Sequence, residues 1–168
     1  PLLFLERTVN VGLNDAVTII GGDGDDRISG RQGNDTLIAD DGADPVIIAW
    51  DLLSQAEHGP DSQSILLTDD AALAARVAES IAELAPRSPR ADILRQSLAA
   101  ARIIVVDAID TAVALSNRYA PEHLILNTAD AAAVAERVRN AGSVFIGPWT
   151  PESLGDYCSG TNHVLPTY

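Results

Sequence analysis

A chain of 168 residues and 17.7 kDa suits one domain, or one domain with a small appendage, and is long enough to bury a core. Its 46% hydrophobic content argues against disorder. A formal charge of −13 and a pI near 4.3 argue against nucleic acid or an anionic membrane as partner, because either needs a basic face. All the basic residues are arginine, and methionine is absent, so the chain is expected to be a processed or excised piece. A lone Cys158 leaves no internal disulfide framework and suits a reducing, cytoplasmic setting.

The opening stretch "PLLFLERTVNVGL" is too short and too interrupted for a membrane span, and it lacks the basic start of a signal peptide. Behind it the composition is skewed. Residues 1–44 hold seven of the twelve glycines and nine acids against three arginines. Gly12, Gly21 and Gly30 recur every nine residues. "GGDGDDRIS" (21–29) and "GRQGNDTLI" (30–38) are successive nonapeptides with Gly at position four, Asp at position six and an apolar residue at position eight. This pattern resembles the calcium-binding repeats of the RTX toxin and protease family, which form a parallel β-roll. Glycine permits the tight turns, Asp26 or Asp35 with backbone carbonyls supplies hard oxygen ligands for Ca2+, and Ile28 and Leu37 point inward. A Gly/Asp-rich turn region that binds nothing has the same composition. The expected division is a repeat-like segment over 1–38 and an α/β domain over 39–168.

From residue 36 strands and helices alternate. "TLIAD" (36–40) reads as a strand, and "DPVIIAWDLLSQAEHG" (44–59) as a helix with Asp44 as N-cap, Pro45 in the first turn and Gly59 as terminator. "SILLTD" (64–69) is a buried strand. Helices are expected over 70–85, stopped by Pro86 and Pro89, and over 90–101. "RIIVVD" (102–107) is a strand, 108–119 a helix, "EHLILN" (122–127) a strand, 130–142 a helix and "SVFIG" (143–147) a strand. The tail from Pro148 is loop-like. Strands with continuous apolar residues, separated by helices, predict an α/β fold with a mostly parallel sheet covered on both faces, preceded by the short Gly/Asp-rich, β-roll-like segment.

Three clusters in the α/β part could carry chemistry. In "QAEH", Gln55 and His58 lie three apart on one helix face with Asp51, so an imidazole and an amide oxygen can converge on a cation; a solvated helix end reads the same way. In "YAPEHLIL", Glu122 and His123 make an adjacent acid and imidazole, a general-base pair if Pro121 breaks the strand regularity that would point them apart. In "SLGDYCSGTNH", Asp156 sits in a glycine-broken loop with His163, while Cys158, without a second cysteine, is a small buried side chain rather than a ligand.

Taken together, "ADDGADP", "DLLSQAEHGPDSQSILLT", "SNRYAPEHLIL" and "NAGSVFIGPWTPESLGDYCSGTNHVLPTY" closely resemble the histidinol dehydrogenase family, from about Thr36 to the last residue. That family oxidises L-histidinol to L-histidine, through histidinal, in two NAD-dependent hydride transfers. The resemblance implies a Rossmann-like dehydrogenase domain, Zn2+ and NAD as cofactors, histidinol as a small-molecule substrate and a homodimer. It implies that Gln55, His58 and Asp156 bind zinc, that Glu122 and His123 are the catalytic acid/base pair, and that His163 lines the substrate site. Gln55, His58, Glu122 and Asp156 are likewise implied to contact substrate. No residue is assigned to the dinucleotide.

The departures are specific. Family members carry a Gly-Pro-Ser-Glu phrase before the first strand, with a substrate-binding serine; this chain has "RQGN", with Gly33 in the serine's place. The family's dinucleotide-binding region and the C-terminal segment with a fourth zinc ligand have no counterpart here, so the expectation is a catalytically incomplete dehydrogenase piece. The alternative is a calcium-binding RTX-type module fused to an inert α/β domain.

Overall fold

The computed structural model describes residues 34–158. Five strands form one parallel sheet: β1 (Asn34–Ala39), β2 (Gln63–Thr68), β3 (Arg102–Val105), β4 (His123–Asn127) and β5 (Ser143–Ile146), in the order β3-β2-β1-β4-β5. Six α-helices accompany them: α1 (Pro45–Ala56), α2 (Ala71–Leu84), α3 (Ala91–Ser97), α4 (Ile109–Tyr119), α5 (Ala131–Ala135) and α6 (Ser153–Tyr157). The order reverses between β1 and β4, which is the switch point of a doubly wound sheet.

The apolar runs explain the layering. On one face Leu37, Leu66, Ile103, Ile125 and Phe145 pack with α1, α2 and Leu94 of α3; on the other Ile38, Leu67, Ile104, Leu124 and Leu126 pack with Ala112 and Val113 of α4 and Val134 of α5. Alternate residues of one strand therefore serve two cores, which is why the apolar runs of these strands are continuous rather than alternating. The edge strand β5 departs from this, with Val144 and Ile146 exposed.

Side-chain caps mark three of the six helix starts, those of α1, α2 and α5. Asp44 Oδ1 accepts from Val46 N at 2.8 Å and Asp70 Oδ1 from Ala72 N at 2.7 Å, each capping a first turn. Helix ends depart from the expected lengths for identifiable reasons. α1 closes at Ala56, three residues before Gly59, and the 3-10 turn Ala85–Arg87 follows α2 where Pro86 removes a donor. α3 stops at Ser97 because Ala99, Ala100 and Ala101 bond three residues back, and Gln63 Nε2 takes the Ala100 carbonyl. α5 is only five residues long. Beyond it Asn117 of α4 accepts from Arg139 N and Asn140 N and donates to the Arg137 carbonyl, so side-chain bonds replace helical ones. The tail, expected as loop, contains α6.

β1 begins at Asn34, so the last residues of the expected repeat-like segment are part of the sheet. No helix among the described residues is long and apolar enough to cross a membrane.

Candidate active site

Among the described residues, the end of α1 with Gln55 and His58 and the start of β4 with Glu122 and His123 lie at one edge of the sheet. In a parallel sheet each helix runs back antiparallel to its strands, so α1 ends where β2 begins, at the amino edge, with Gln63 of β2 paired with Asn34 of β1. His123 opens β4 at that same edge, in register with Asp35 of β1 and Ser143 of β5. The chain reaches β4 through Ala120, held in the left-handed region at φ 56°, and Pro121. This bend is the irregularity that lets consecutive Glu122 and His123 approach each other, with His123 Nε2 3.9 Å from Glu122 Oε1. Gly142 allows it as well: a Cβ there would lie 2.6 Å from the Glu122 carbonyl oxygen.

His123 is the centre of the cluster. Its Nδ1 is 3.0 Å from Asp35 Oδ1 and 3.6 Å from Glu152 Oε1, and its ring packs edge-on to Phe145 with centroids 5.9 Å apart. Asp35, Glu122 and Glu152 are all buried. Burial by itself lowers the His123 pKa, but the Asp35 hydrogen bond and charge, then the charges of Glu152 and Glu122, outweigh it and raise the imidazole to about 9. A carboxylate can only accept, so Nδ1–H donates to Asp35 and Nε2 faces Glu122. Tyr119, also near Asp35, has its hydroxyl bonded to Gln63 Oε1 at 2.8 Å, and burial followed by the Asp35 charge pushes that phenol up.

Asp35 was expected as a calcium ligand, and here it stands beside the acid/base pair. Glu152, just before α6, was not singled out; the only signal for it was an acid inside the tail phrase "PESLGD". Gln55 is buried and His58 exposed, both at the end of α1. His58 Nδ1 lies 3.2 Å from the Gln55 carbonyl, which can only accept, so the neutral ring carries its lone pair on the outward Nε2. A metal-ligating histidine is held in this way. Asp51, one turn earlier, has its carboxyl pushed up to about 6 by burial. His58 so held is a suitable ligand for a zinc-class ion; Gln55 lies three residues before it in α1, and Asp156 belongs to α6. Asp26 and His163 lie outside the described residues. Cys158, expected buried, is exposed.

The opposite edge is acidic. Asp40 follows β1 and binds Ala129 N and Gly42 N, and Asp69 follows β2; burial, then the charges of Asp40, Asp41 and Asp70, raise Asp69 against a backbone hydrogen bond that lowers it. A dinucleotide pyrophosphate at a switch point needs amide donors and no competing anions. With the first turn of α1 already capped by Asp44, the crevice of this sheet does not fit NAD.

Comparison with known proteins bears on these placements. The profile of the histidinol dehydrogenase family matches residues 33–168. The chain belongs to the histidinol dehydrogenase family. It is 57% identical to histidinol dehydrogenase of Pectobacterium atrosepticum and 58% to that of Salmonella typhimurium, over 132 residues in each case, covering 79% of this chain and 30% of each relative. The crystal structure of histidinol dehydrogenase from Elizabethkingia anophelis superposes with a TM-score of 0.79 at 46% identity, covering 82% of this chain and 32% of that one. The chain thus spans about 30% of the length of the histidinol dehydrogenases it matches. A second profile, the RTX calcium-binding nonapeptide repeat (4 copies), matches residues 18–44. The two matches overlap in β1, the strand that carries Asp35 to His123.

Proposed function

We propose that this chain supplies the zinc-binding and acid–base elements of a histidinol dehydrogenase, acting on L-histidinol, with the dehydrogenase part beginning at β1, inside the repeat-like segment expected over 1–38. The observation that carries the reading is the pair of buried Glu122 and half-buried His123 at the same sheet edge as the prepared His58. Gln55, His58 and Asp156 are the residues that would hold zinc, whose contribution when bound is to orient the amino alcohol as a Lewis acid. His123 Nε2 takes the alcohol proton, and Glu122 removes a proton from the water that adds to the aldehyde. With Asp35 on Nδ1 the imidazole is charged at neutral pH, so it becomes a proton acceptor only as pH approaches about 9. His163 completes the substrate contacts in this reading, and a homodimer in the cytoplasm is the matching assembly and setting. The hydride acceptor, NAD in this family, is not assigned to any residue of the chain.

The test is isothermal titration of L-histidinol into the protein with zinc and after chelation, alongside nicotinamide absorbance with NAD present. Zinc-dependent histidinol binding that His58→Ala abolishes is expected. Equal histidinol affinity with and without zinc refutes the reading.

The repeat match over 18–44 supports a second property, Ca2+ binding at the N-terminal repeats with Asp26 as a ligand. Added calcium should then raise the melting temperature, and an unchanged melt excludes it.

A further inference from the structure

Asp35, His123 and Glu152 offer one donor atom each, all within 4.8 Å of one another. A four-coordinate ion of the zinc class holds nitrogen and oxygen donors at about 2.0–2.2 Å, which sets donor–donor edges of roughly 3.4 Å. The two edges seen from His123 Nδ1, 3.0 Å to Asp35 and 3.6 Å to Glu152, straddle that value. Small side-chain movements would therefore admit an ion.

Two further observations point to a cation. Asp35 is 5% exposed, and its Oδ2 has no hydrogen-bond partner among the described residues. Leaving a buried charged oxygen without a donor is costly, and a bound cation relieves that cost. In addition one imidazole faces three buried carboxylates, those of Asp35, Glu152 and Glu122.

We propose that Asp35, His123 and Glu152 form a divalent-cation site of the zinc class, separate from the Gln55, His58 and Asp156 set. One imidazole nitrogen with two carboxylates suits zinc and its transition-metal neighbours rather than calcium, which prefers an all-oxygen shell. The ion takes the Nδ1 lone pair, so binding releases the Nδ1 proton to solvent. Asp35, position six of the second nonapeptide, is the ligand that the repeat-like segment contributes. Where the proposed acid–base role of His123 holds, occupancy of this site withdraws the imidazole from proton transfer, and excess metal inhibits.

The experiment uses Co2+ and Zn2+ on the full chain with His58→Ala, which removes the other set. One equivalent of Co2+ with tetrahedral d–d absorption is expected. Adding Asp35→Asn or Glu152→Gln, with folding checked by circular dichroism, should weaken binding at least about tenfold. In the unsubstituted chain saturating Zn2+ should shift the His123 imidazole resonances. No Co2+ binding by the His58→Ala chain, an unchanged Kd in both double variants, or unmoved His123 resonances overturns the proposal. Histidinol binding is a separate readout, so loss of the proposed function leaves this result interpretable.

Discussion

Replacing Asp35 with asparagine keeps the side-chain shape and removes its charge. In the native protein Asp35 is the main group raising His123 from its ordinary 6.5 to about 9, against the downward pull of burial. That shift corresponds to at most about 3 kcal/mol of preference for the imidazolium in the folded state. Because the folded pKa lies above the unfolded one, this stability is fully present below about pH 6.5 and is lost as pH rises through about 9. In Asp35→Asn the imidazole should titrate at least about one unit lower, since Glu152 and Glu122 remain to hold part of the shift. Urea unfolding at about pH 6 and about pH 10 should show a smaller difference in stability than the unsubstituted protein does. Proton NMR of the imidazole Cε1–H in chelator-treated protein reads the pKa directly, with His123 assigned by its loss in His123→Gln. A His123 that titrates near its ordinary value in the native protein, or a midpoint that Asp35→Asn leaves in place, refutes the reasoning.

Further outcomes follow from single contacts. Gly142→Ala places a methyl 2.6 Å from the Glu122 carbonyl, so β5 or the Glu122 turn must move; a loss of roughly 1–3 kcal/mol by urea unfolding is expected, together with an altered His123 titration. Asp51→Asn removes a carboxylate whose pKa burial raises to about 6. A raised acid destabilises the fold as pH climbs from about 4 through 6, so the variant should gain up to about 3 kcal/mol at neutral pH and nothing at about pH 4. Asp70→Ala deletes the cap bond to Ala72 N and should cost about 1 kcal/mol in thermal or urea unfolding. Ala120→Gly relieves the left-handed φ of 56° and should raise the melting temperature, whereas Ala120→Val should lower it.

Much of the fold was legible residue by residue. The apolar runs around Leu66, Ile104 and Leu126 name buried strands, and Asp44–Pro45 marks a helix start, because those signals act within a few residues. The phrases around His58 and His123 were enough to reach the family. Helix ends were less legible: α5 loses its second half to Asn117, about twenty residues away in the chain, a competition no local pattern contains. Glu152 has no local signal for the same reason, as its significance lies in being 3.6 Å from His123.

Sequence alone was sufficient for the order of strands and helices as far as β5, the double-sided sheet and the family, since burial periodicity and capping are encoded in neighbouring residues. It also marked Asp35 as an oxygen donor, in the setting of a glycine turn and a calcium ion. Packing gave that donor a different neighbour. Parallel pairing of β1 with β4 sets Asp35 opposite His123 across 88 residues of chain, and the tail brings Glu152 to the same ring. The consequences, a raised imidazole and three donors close enough for one ion, depend on inverse distance and burial, quantities that exist only once the strands are side by side.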